Sequence, residues 1–188
     1  MAKTWEIRIK RLGVQKSGAN ARTYATYEVF IDGTRVDALS GNMCERTGPG
    51  SKKPGSGKRI VPGTYPLSTH FGTKYKSVGF SDVTNPGGQK PMPGILLKKT
   101  LPRDAILIHP SHPPTLYISS VGCLNPTQKR TSKQNIDFVE SRGRVIALID
   151  SLKAFAPAAF AKAKPTAIPG ATCVIEGDPE NVLPSTQS

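Results

Sequence analysis

Near the N-terminus Trp5, Ile7 and Ile9 alternate with Glu6, Arg8 and Lys10. A period of two fits a strand with one face in the core and the other in water. A second alternating run over residues 24–31 meets Asp32-Gly33, a residue pair that accepts positive φ and turns a strand back on itself. Residues 34–39 continue the pattern, so the first forty residues predict three β-strands. The remainder keeps this character, because 18 Gly and 17 Pro supply turns and interrupt helices. Short strands are expected after Val61-Pro62-Gly63 and around residues 91–97. The compact run Ala105-Ile106-Leu107-Ile108 reads as a buried central strand. The fold class implied is mainly β, a β-rich sandwich or barrel, with one C-terminal helix packed on it.

That helix is placed at 132–155. Ser132 is a suitable cap, and Ile136, Val139, Ile146, Ile149 and Leu152 form an apolar stripe interrupted by Gly143. The stripe demands a partner surface, taken to be the outer face of the β-domain. A chain of 188 residues supports one core. Residues 1–156 are therefore expected to form a single domain, and the Ala/Pro/Lys-rich residues 157–188 a loosely held tail.

Lys and Arg number 26 against 13 Asp and Glu, a net charge of +13. Such a surface attracts polyanions: nucleic acid, anionic lipid or acidic cell-wall polymer. The basic residues fall in short scattered groups, such as Lys52, Lys53 and Lys58, and not along one aromatic-studded face, so no specific nucleic-acid reader is indicated. No long apolar stretch is present, so neither a cleaved leader nor membrane insertion is expected. Synthesis in the cytoplasm without a signal peptide follows. Gly55-Ser56-Gly57-Lys58 invites a phosphate-loop reading, but Lys52 stands where the first glycine belongs and Arg59 where Ser or Thr belongs. No cofactor is called for.

The chemistry concentrates between residues 106 and 125. The apolar run ends at His109-Pro110-Ser111-His112-Pro113-Pro114, and Cys123 follows in Ser119-Ser120-Val121-Gly122-Cys123-Leu124-Asn125. Three cysteines are an odd count without disulfide spacing, which leaves at least one thiol free. A glycine before a cysteine in a turn allows close backbone approach and leaves the Gly122 and Cys123 amides available to an oxyanion. A thiol needs a base, and His109 follows a rigid strand; His112 is the alternative base. A zinc site from His109, His112 and Cys123 lacks paired-ligand spacing. His70 reads as a surface or packing residue.

A histidine after an apolar strand, followed by Ser-x-Gly-Cys-aliphatic-Asn, resembles the signature of the L,D-transpeptidase (YkuD-like) family of peptidoglycan enzymes. Val61-Pro62-Gly63-Thr64-Tyr65 is similar to the turn and strand that this family carries upstream. The resemblance is closest to a short, divergent branch that includes type VI secretion effectors. Val121 stands where the family usually has His, Pro110 where it has Gly, and the fourteen positions from His109 to Cys123 are fewer than usual.

The resemblance implies an L,D-transpeptidase or L,D-carboxypeptidase working through a thioacyl-enzyme on stem peptides. It gives Cys123 the role of nucleophile, His109 that of base, Gly122 an oxyanion donor and Ser120 a hydrogen bond that orients the histidine. His112, Tyr117, Asn125 and Arg59 are the candidate substrate-binding residues. Peptidoglycan stem peptides are the implied partners, with an immunity protein or a secretion-system component if the chain is an antibacterial effector acting in the periplasm or cell wall. A non-catalytic basic module that holds anionic wall polymer is the competing class. A catalytic Cys123 is expected to alkylate quickly at neutral pH, and a structural one is not.

Overall fold

The computed structural model describes residues 3–82 and 90–185. Its strands are β1 (Trp5–Ser17), β2 (Asn20–Ile31), β3 (Thr34–Arg35), β4 (Gly41–Glu45), β5 (Gly63–Thr69), β6 (Tyr75–Lys76), β7 (Met92–Pro93), β8 (Ile95–Leu97), β9 (Leu107–Ile108), β10 (Asn125–Thr127) and β11 (Ala167–Glu176). Two helices, α1 (Phe138–Phe155) and α2 (Pro157–Phe160), separate β10 from β11. The protein is mainly β, as the alternation implies.

The main sheet runs β10-β4-β2-β1-β11-β5-β8-β9, with β3 beside β2. Most pairs are antiparallel; β1 and β11 pair in parallel. The two ends of the path meet, because Ile108 at the end of β9 bridges Leu124 just ahead of β10 in parallel. The sheet is thus a nearly closed barrel whose seam lies between β9 and β10. Closure removes the exposed edges that an open sheet would present.

Alternation decides which side chains go inward. Trp5, Ile7 and Ile9 are fully buried, and their partners across β1 and β2 include Val29 and Tyr27. Asp32 and Gly33 both take positive φ and turn β2 into β3, as the Asp-Gly pair implies. The third strand is shorter than expected, since a 3-10 turn at Asp37–Leu39 follows Arg35.

Three expectations are corrected. The helix begins at Phe138 and not at Ser132, because Asp137 is its cap: the Asp137 carboxylate accepts from Glu140 N at 2.7 Å, and Ile136 N donates to Leu116 O in an extended segment. The helix also packs on the inward face, not the outer one. Val145, Leu148, Ile149 and Leu152 share one core with Trp5 and Leu67, and the Trp5 indole N–H donates to Ser151 Oγ. Finally, residues 157–185 are not a loose tail, since β11 is inserted between β1 and β5 with Ala171, Cys173 and Ile175 buried. Residues 186–188 of the expected tail lie outside the described residues. No helix among the described residues is long and apolar enough to cross a membrane.

Candidate active site at the barrel seam

The seam dictates which side chains meet. His109 N donates to Leu124 O at 3.0 Å and Leu124 N to Leu107 O at 2.9 Å, so Ile108 faces Leu124 across the join. Both of those side chains enter the core. By alternation Leu107, His109, Cys123 and Asn125 share the other face. His109 stands opposite Asn125, with Cys123 on the diagonal. Leu107, His109 and Cys123 line one cavity of about 450 Å3, together with His70, Tyr75 and His112.

His109 is buried and closely held. Its Nδ1 lies 2.8 Å from the Pro110 carbonyl, which can only accept, and 3.3 Å from Asn125 Nδ2, which can only donate; the shorter contact assigns the proton to Nδ1 and the lone pair to Nε2. The ring stacks on Tyr75 with centroids 4.3 Å apart. Asn125 Nδ2 donates to His109 O at 2.9 Å. Burial pushes the His109 pKa down to about 4, against the Pro110 hydrogen bond and with help from His112, so the imidazole is neutral at physiological pH.

His112 is already engaged at both nitrogens, with Nδ1 2.9 Å from Pro113 O and Nε2 3.0 Å from the Tyr75 hydroxyl. Of the two histidines, His109 is the one with a nitrogen open to act as base.

Cys123 is half-buried. Sγ accepts from Leu107 N at 3.4 Å and donates to Ala105 O at 3.5 Å. Burial pushes its pKa up to about 11, while the Leu107 amide and the Arg103 guanidinium pull it down. Neither imidazole hydrogen-bonds to Sγ among the described residues. At rest the thiol and the His109 imidazole are both neutral. A second cavity of about 310 Å3, lined by Gly55, Gly57, Arg103 and Asp104, also reaches Cys123. Cys123 therefore borders both spaces.

Gly122 is required where it stands. Its φ is +139°, and a Cβ there would lie 1.8 Å from Arg103 Nη2. Arg103 is the residue that sequence reasoning overlooked. Nη1 donates to Ser51 O at 2.9 Å and Lys58 O at 2.8 Å, and Nη2 to Val121 O at 3.0 Å, so it staples the 51–59 loop to the cysteine turn. Tyr75, the stacking partner of His109, was overlooked as well. Nothing in the local pattern around either residue signals such long-range contacts.

Comparison of the chain with protein-family models, with curated proteins and with solved structures finds no match.

Four assignments change once the geometry is known. Ser120 does not orient the histidine; its Oγ donates to Cys123 O at 2.8 Å and braces the cysteine turn. Asn125 is fully buried and hydrogen-bonded to His109 O, so it is closed to a substrate. Arg59 is sealed in the interior, with Nε on Asp178 at 2.7 Å, Nη1 on Thr23 Oγ1 at 2.5 Å and Nη2 on Pro179 O at 2.7 Å. Tyr117 is buried under the Arg22 guanidinium at 4.2 Å and donates its hydroxyl to Ser132 O. Neither Arg59 nor Tyr117 borders the histidine cavity. His70 does, and burial lowers its pKa.

Proposed function

We propose that the protein is a cysteine acyl-transfer enzyme acting on peptidoglycan stem peptides, an L,D-transpeptidase or L,D-carboxypeptidase. The observation that carries this reading is the seam itself: a thiol at the junction of two cavities, with an oriented, neutral imidazole on the same face. Two spaces at one sulfur suit a donor peptide on one side and an acceptor on the other.

Cys123 Sγ adds to the carbonyl of the scissile amide while His109 Nε2 takes its proton. The Gly122 and Cys123 amides are the donors assigned to the oxyanion. Collapse breaks the C–N bond, the imidazolium proton goes to the leaving amine, and a thioester remains. An amine or water then attacks that thioester, and the proton it loses returns through His109 to sulfur. Because both groups rest neutral, proton transfer accompanies attack and no stored thiolate is needed. An antibacterial effector role, with delivery by a secretion system and a cognate immunity protein, belongs to the same proposal.

Incubating the protein with tetrapeptide muropeptides and weighing the products tests substrate and reaction together. A cross-linked mass, or loss of the terminal residue, is expected with the native protein. Cys123→Ala is expected to lower turnover by about 10^4-fold or more. Full activity in that variant overturns the reading.

A second reading is favoured by one observation, the thiol held up to a pKa of about 11 by burial. A protein that only bound wall polymer through Lys52, Lys53 and Lys58 would need no more than that. It predicts salt-sensitive binding to intact wall material and unchanged muropeptides.

A further inference from the structure

A third cavity, of about 500 Å3, adjoins the histidine cavity, and residues 119–121 line both. This wall is a single stretch of chain that runs directly into Gly122 and Cys123. Among the residues around the third cavity are Asn20, Arg46, Thr115 and Asn135, and no acidic side chain lines it. Arg46 follows the last residue of β4. Its Nε is shut off from solvent and has no hydrogen-bond partner.

A guanidinium donor kept from water without an acceptor is costly, and native structures rarely leave one so. Arg130 Nε is orphaned as well, but Arg130 Nη2 pairs with Glu140 Oε2 at 3.4 Å, and the buried Arg11, Arg22 and Arg59 are all hydrogen-bonded; half-buried Arg46 has no such oxygen among the described residues. The Arg46 guanidinium matches a planar oxygen acceptor, and a cavity without a negative charge of its own leaves that place to an anionic ligand.

We infer that Arg46 is a specificity residue that binds a free carboxylate of the peptide substrate, in a cavity separated from Cys123 only by residues 119–121. The identity of that substrate rests on the acyl-transfer reading; the carboxylate site rests on the cavity and Arg46. A stem peptide carries free carboxylates besides its scissile amide. One of them, held by Arg46, fixes which carbonyl lies against the sulfur.

The test starts with the native protein and a probe that needs no turnover. The Nε–H resonance of Arg46, assigned by its loss in Arg46→Lys, is followed by NMR while N-acetyl-D-alanine is added, with N-acetyl-D-alaninamide as the uncharged control. The acid is expected to shift the resonance saturably and the amide to leave it in place. Equal responses to the two compounds, or no response to either, overturn the carboxylate site.

Kinetics form the second arm. Arg46→Gln is expected to raise KM for the acidic tetrapeptide about tenfold and to leave KM for the carboxamide form in place. An unchanged KM for the acidic peptide overturns the specificity role. If the resonance responds to the acid but no muropeptide is turned over by the native protein, the carboxylate site stands and the acyl-transfer reading falls. If muropeptides are turned over and the resonance does not respond, the Arg46 inference falls alone.

Discussion

Two regions bury polar side chains in the barrel, and they do so in opposite ways. Around Arg11 the account closes: Nε and Nη2 hold both oxygens of Glu45 at 2.7 and 2.9 Å, Nη2 also reaches Ile60 O, and Nη1 reaches Gly177 O. At the seam it stays open. Asn125 Oδ1 is buried without a partner, the thiol has only long sulfur contacts, and the imidazole keeps a lone pair on Nε2. A fully paired buried charge fixes how segments meet, whereas unspent hydrogen-bonding capacity beside a cavity marks a place prepared for a ligand.

The comparison breaks most visibly at Glu45. Glu45→Gln leaves the buried Arg11 charge with only the half-exposed Asp178, 3.8 Å away, as counter-ion and is expected to cost about 3 kcal/mol in chemical denaturation. Replacing both residues by Met and Leu recovers most of that loss, because the uncompensated charge is then gone. A loss under 1 kcal/mol for the single change would mean that the cluster is not the structural half of the contrast.

The seam responds to acid instead. The folded His109 pKa of about 4 lies below the unfolded value near 6.5. Between these values the unfolded chain binds more protons. Stability is therefore full above about pH 6.5, falls as the pH drops toward 4, and changes no further from this group below that. The loss expected is up to about 3 kcal/mol, and His109→Gln removes it from the pH profile of denaturation. A native profile as flat as that of the variant contradicts the buried neutral imidazole.

The smallest effect is expected at Ser120. Ser120→Ala deletes the hydroxyl that braces Cys123 O and is expected to cost about 1 kcal/mol of stability. On the acyl-transfer proposal, turnover should fall more than such a loss explains, because the turn that carries Cys123 loosens. If stability and rate are both untouched, the brace has no role in the site.

Much of this was legible in the chain, for reasons that differ between segments. The alternation of Trp5, Ile7 and Ile9 and the Asp32-Gly33 turn are local signals, and β1, β2 and β3 follow them. The run ending in Ile108 was legible as a buried strand but not as the end of the sheet; closure against Leu124 buries it. The strand β11 was hidden because Pro169 and Gly170 interrupt its alternation, and the register shift between Ala167 and Thr172 takes up that break. At the site, His109 and Cys123 could be picked out by residue type. The stapling by Arg103 and the stacking of Tyr75 depend on contacts between distant segments, which spacing does not encode. Arg59 and Tyr117 are of types found at binding sites, yet their partners, Asp178 and Arg22, lie 119 and 95 positions away.

The placement of β11 sets an order on assembly. As the chain leaves the ribosome, His109 and Cys123 emerge well before residues 167–176, yet β1 and β5 have no shared neighbour until that strand arrives. Until then the sheet is open at one place, with β1 and β5 as bare edges exposed to chaperones and to other nascent chains. Ring closure must await late, long-range pairing, so acquisition of the native state is paced by topology and not by the quick N-terminal hairpin.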